Sequence, residues 1–83
     1  MTYSEIFETV KAHLVEILEQ PDVVVTDETS ARDIPEWDSL LHIQLIFELE
    51  KTFKIRFTAM EIGHYENVGQ LCMGIEKKVN FKG

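Results

Sequence analysis

The stretch Trp37-Asp38-Ser39-Leu40-Leu41-His42-Ile43-Gln44-Leu45-Ile46-Phe47-Glu48-Leu49-Glu50-Lys51-Thr52-Phe53 decides how the rest of the chain is read. Its spacing predicts a helix opening at Asp38 or Ser39 and running to about Thr52. At about 100° per residue, Leu45, Leu49, Phe53 and Ile46 form one contiguous arc, the core face. Ile43, Phe47 and Leu40 carry the apolar surface round toward the opposite side, and Gln44, Glu48 and Lys51 fill the remaining gap. An apolar arc this wide exceeds what one core face needs. Either the helix is central, or part of its apolar surface waits for a partner.

Upstream, Ile6, Phe7, Val10, Leu14, Ile17 and Leu18 make one stripe of a helix expected from Tyr3 to Glu19. Thr2 and Glu5 fit a capping box at its start, and Pro21 stops it. From Gln20 to Trp37 there is no helical period. Val23 to Val25 reads like a strand, but no second segment is available to pair with it, so a sheet is rejected. A connection this long in a short chain is expected to be pinned by its own side chains, here Val23, Val25, Ile34 and Trp37. Pro35 stiffens the approach to the next helix.

Downstream, Thr58 and Glu61 form a second capping box, opening a short helix from Ala59 to Ile62 that Gly63 should end. Asn67 is placed to cap a last helix carrying Val68, Leu71, Cys72, Ile75 and Val79 at helical spacing. Lys77 and Lys78 suit its final turn. Gly69 and Gly74 should weaken it. The expected fold is all-α: a small four-helix bundle of three main helices and one short one, with a long first loop, in a single domain over residues 1–83.

Composition narrows the function. The chain has 83 residues, 45% of them hydrophobic, which suits a globular domain. A core of this size leaves little room to wall in a deep catalytic cleft. Eight basic residues against 15 acidic give a net charge of −7. That charge disfavours nucleic acid and anionic membranes and favours basic protein partners. Cys72 is the sole cysteine, so no internal disulfide forms and a reducing compartment fits. The first residues lack the basic and apolar runs of a signal peptide, and no stretch is long enough to span a membrane. A soluble, cytoplasmic monomer is expected.

The chemistry centres on Ser39. A serine where a loop enters a helix exposes its hydroxyl to the positive end of the helix dipole and to unpaired amides, which favour an attached phosphate. Asp38, acidic and ahead of the helix, is suited to a metal or to a basic group of a modifying enzyme. Both residues also suit plain helix capping. No competing chemistry emerges elsewhere. His13, His42 and His64 stand on separate elements without ligand spacing, and each reads as a surface or half-buried histidine. Cys72 reads as an inert core thiol. The acidic segment from Asp22 to Asp33 lacks a calcium-loop pattern. Ser39 and His42 have no third group to orient a base.

The order of helices, the long first loop and Trp37-Asp38-Ser39-Leu40 followed by Leu45, Ile46, Leu49 and Phe53 resemble the acyl carrier protein family. The run Phe47-Glu48-Leu49-Glu50, then Phe57, the short helix, Asn67-Val68 and the closing amphipathic helix match as well. The likeness spans essentially the whole chain. It implies that Ser39 is esterified by 4'-phosphopantetheine, delivered from coenzyme A by a phosphopantetheinyl transferase. The arm's thiol then holds acyl groups as thioesters. Partners would be acyl-loading, synthase or acyltransferase enzymes, and the chain itself would not be an enzyme. The resemblance also implies a partner surface on the second helix, here Leu40, Leu41, Ile43, Gln44, Phe47, Glu48 and Lys51, with Leu41 and Phe47 exposed or nearly so. An acyl chain would enter between the second and short helices, near Leu45, Ile46, Ile62 and Leu71.

This chain departs from the family's strongly acidic partner face, carrying Gln44 and Lys51 beside Glu48. That points to a dedicated fatty-acid, lipid or polyketide pathway. A peptidyl carrier is the rival subtype, but its serine usually follows a Gly-Gly-His run, and Asp38 speaks for an acyl carrier. The alternative from another class is an acidic helical module for protein interaction.

Overall fold

The computed structural model describes residues 1–80. Four helices follow in order: α1 Tyr3–Leu18, α2 Ser39–Phe53, α3 Ala59–His64 and α4 Val68–Asn80. No strand occurs among the described residues, Val23 to Val25 included. None of the described helices is long and apolar enough to cross a membrane.

Local signals set most of the boundaries. The Thr2 hydroxyl accepts from the Glu5 amide at 3.2 Å, and the Glu5 carboxylate accepts from the Thr2 amide at 2.8 Å. The Thr58–Glu61 box repeats this at α3. Helix α1 ends at Leu18, one residue before the expected boundary, because Glu19 turns left-handed (φ 57°) and its amide bonds back to the Val15 and Glu16 carbonyls. Lys54 (φ 56°) does the same after α2. The third helix runs past Gly63 to His64, correcting the expected stop. Gly63 does not take the positive φ of a terminating glycine, so nothing halts the helix there.

Ile6, Val10 and Leu14 of α1, Leu45, Ile46 and Leu49 of α2, and Val68, Leu71, Cys72 and Ile75 of α4 are sealed from solvent or nearly so. Each completely buried aliphatic side chain contributes about 1.5–3 kcal/mol of apolar transfer free energy. Helix α1 packs on both α2 and α4. By contrast, α3 contributes no buried residue. It is held by half-buried Ile62 and by the Glu61–Lys78 ion pair at 2.9 Å.

The long loop is anchored as its apolar residues suggest. Val25, Ile34 and Trp37 are buried, and Val23 packs against the same core. Its backbone also docks on the N-terminus of α4. The Thr29 carbonyl accepts from the Val68 amide at 2.9 Å, and the Asp27 carbonyl from the Gly69 amide at 2.8 Å. The Asn67 side chain accepts from the Gln70 amide at 2.8 Å. These bonds satisfy amides that a helix start leaves without partners. Gly69 therefore does more than weaken its helix. A Cβ there would lie 3.0 Å from the Asp27 carbonyl oxygen. At Gly74, a Cβ would collide with the Tyr65 hydroxyl oxygen. Both glycines are close-approach positions, which helical spacing alone does not reveal.

Candidate functional site

The loop delivers Trp37 into the core and leaves the next three residues outside. Trp37 is 7% exposed, with its amide bonded to the Ile34 carbonyl at 3.0 Å. Asp38, Ser39 and Leu40 are exposed where the loop becomes α2. Asp38 is the cap: its carboxylate accepts from the Leu41 amide at 2.9 Å, and its carbonyl from the His42 amide at 2.9 Å. Ser39 is the first helical residue, which corrects the reading of Ser39 as a cap. Its hydroxyl is thus spared a structural task. The amides of Ser39 and Leu40 lie in the first turn, where no intrahelical acceptor exists. Negative charge attached at the Ser39 hydroxyl would meet the positive end of the α2 dipole.

Beside Ser39 lies an open groove of about 570 Å³, with Trp37, His42, Ile43, Ile62 and Tyr65 among its walls. A smaller cleft of about 40 Å³ lies behind it, reaching Leu71 and Asn67. Of the four residues expected around an acyl chain, Ile62 lines the groove and Leu71 the cleft. Leu45 and Ile46 are fully buried and line neither. The core around them is packed, so a chain reaching them would have to displace side chains.

On the outer face of α2, Leu40 (69% exposed), Ile43 (43%) and Phe47 (56%) form an apolar stripe. Gln44 and Lys51 are exposed beside it, and Glu48 is half-buried. Lys51 approaches Glu48 at 3.9 Å, an exposed pair of little energetic weight. Leu41 does not belong to this surface. It is 8% exposed, which corrects the expectation of an outward leucine. Leu41 precedes Leu45 by four residues, so it shares the core side one turn earlier.

His42, read from the sequence as a surface or half-buried histidine, is half-buried, and sequence reasoning missed what it does. The Trp37 indole N–H donates to His42 Nδ1 at 3.2 Å, and His42 Nε2 lies 3.1 Å from the Ile62 carbonyl oxygen. The clue was available: a buried tryptophan needs an acceptor for its indole N–H. His42, five positions on, offers one. Electrostatics elsewhere are structural. The hydrogen bond from Lys78 and those of the capping box hold the Glu61 carboxyl below the usual carboxylate range. Burial pushes the Cys72 thiol up to about 12, as befits an unreactive core group.

Comparison with known proteins agrees with this geometry. A family model described as a phosphopantetheine attachment site matches residues 8–73. The solution structure of the holo acyl carrier protein from Geobacter metallireducens superposes with a TM-score of 0.83 at 36% identity, over 89% of this chain and 85% of that one. A candidate acyl carrier protein from Mycobacterium tuberculosis gives a TM-score of 0.78 at 28% identity, over 86% of this chain and 95% of that one. Fold and site together define a carrier domain for a phosphopantetheine arm. The chain belongs to the acyl carrier protein family.

Proposed function

We infer that Ser39 is the residue that bears the phosphopantetheine arm. The observation that carries this reading is a division of labour at the head of α2. Asp38 takes the capping bond, while Ser39, one position on, is exposed with no cap to maintain. When bound, the arm supplies a terminal thiol that holds acyl groups as thioesters. The protein's own residues do the rest. The Ser39 hydroxyl is open to a transferase approaching from solvent. Asp38, fixed by its bond to the Leu41 amide, offers negative charge to a basic group of that enzyme or to its metal. The first-turn amides and the α2 dipole favour the phosphodiester charge once it is attached.

The chain acts as a carrier and not as a catalyst, and its partners are a phosphopantetheinyl transferase and acyl-loading, synthase or acyltransferase enzymes. The apolar stripe of Leu40, Ile43 and Phe47, flanked by Gln44, Glu48 and Lys51, is the surface they would meet. Its mixed chemistry supports a dedicated fatty-acid, lipid or polyketide pathway in the cytoplasm. Intact mass after incubation with coenzyme A and a broad transferase tests the reading. A rise by one arm supports a carrier. No rise supports a plain interaction module.

A further inference from the structure

The groove beside Ser39 and the cleft behind it share Ala31, Trp37, His42 and Tyr65 as walls, so these side chains stand between the two spaces. Two of them are bonded to each other. An indole N–H only donates, so His42 Nδ1 must accept. The neutral ring then carries its hydrogen on Nε2, where it donates to the Ile62 carbonyl. One imidazole on α2 thereby ties the end of the long loop to α3, the helix with no buried anchor of its own. The two rings also stack, with centroids 6.0 Å apart and planes at 29°.

We propose that His42 is a positioning residue that bolts the partition between the Ser39 groove and the inner cleft, keeping an arm-borne acyl chain in the outer groove until the bolt opens. The proposal rests on Ser39 as the attachment point. With the bolt closed, the chain lies against Ile43 and Ile62, within reach of a partner docked on α2. With it open, groove and cleft join and the chain reaches Leu71. A bolt of two neutral hydrogen bonds is weak enough to open without unfolding the domain.

The test uses the full chain with an octanoyl arm installed from octanoyl coenzyme A, and methyl resonances of Ile43, Ile62 and Leu71 read with and without the acyl group. In the unmodified sequence, octanoylation should move Ile43 and Ile62 and leave Leu71 nearly still. In His42→Ala, Leu71 should respond at least about threefold more strongly, because removing the ring shifts the population toward the open state. Trp37→Phe keeps an aromatic wall but removes the donor, and should show the same gain, which guards against a His42→Ala chain that fails to fold. Nitrogen shifts of the His42 ring should report the Nε2–H form in the parent chain. The proposal is overturned if Leu71 responds equally in parent and variants, or stays still in a folded variant. A chain that takes up no arm refutes the Ser39 reading instead, so the two failures are distinguishable.

Discussion

Gly69→Ala tests whether the long loop is held where the fold needs it. Alanine should favour a helix by up to about 0.8–1.0 kcal/mol over glycine, less in a first turn such as this. Against that stands the Asp27 carbonyl oxygen, 3.0 Å from the new Cβ, with the Asp27 Cβ at 3.2 Å. Asp27 is not free to retreat. Its carbonyl accepts from the Gly69 amide at 2.8 Å, and its carboxylate from the Tyr3 hydroxyl at 3.0 Å. Overpacking of this kind costs about 1–3 kcal/mol, and loosening the Gly69–Asp27 bond adds about 0.5–1.5 kcal/mol. The net expectation is a loss of about 0.5–4.5 kcal/mol. In urea, at a slope of about 1 kcal/mol per molar, the midpoint should fall by roughly 0.5–4.5 M with the slope unchanged. Gly63→Ala is the control, since its Cβ would meet nothing within 4 Å, and it should not destabilise. A Gly69→Ala chain as stable as the parent would refute the close docking of loop on helix.

Three further outcomes are expected. Asp38→Ala should cost about 1 kcal/mol of stability through loss of the cap, whereas Ser39→Ala should stay within about 0.5 kcal/mol, both read from urea midpoints. Glu61 sits below its ordinary value of 4.5, so its contribution is complete above that value and disappears as pH falls through the lower folded one; the protection of α3 amides relative to their intrinsic exchange rate should therefore fall on acidification below 4.5, and less so in Lys78→Met. Phe47→Ala should weaken binding to a cognate partner by about tenfold or more while leaving the urea midpoint nearly unchanged, and added salt should matter less than this substitution, because screening acts on charges.

The helices and their starts were legible because both signals are local. A 3.6-residue stripe and a threonine three residues before a glutamate need no knowledge of the rest of the chain. The proposed attachment residue, Ser39, stands out for the same reason, as part of one motif at one helix start. Which residue caps, Asp38 or Ser39, depended on a register of one position that the motif does not settle. Leu41 was misjudged because an apolar arc this broad leaves its edges undefined until α1 and α4 are packed against it. Gly69, Gly74 and the Trp37–His42–Ile62 bonds belong to contacts between elements. Composition argued for a weakened last helix, yet its two glycines let the loop and Tyr65 approach closely.

The most direct test of Ser39 as the arm-bearing residue counts reactive thiols on the native chain. Cys72 is buried, with its thiol pushed up to about 12, so the folded, unmodified protein should react negligibly with a thiol reagent at neutral pH. After treatment with coenzyme A and a transferase, a single fast-reacting thiol should appear, and fragment masses should place the arm on the peptide containing Ser39. Ser39→Ala, folded and equally treated, should show none. Arm addition at Ser4 or Ser30 in that variant, or a parent chain that gains no thiol, would contradict the account.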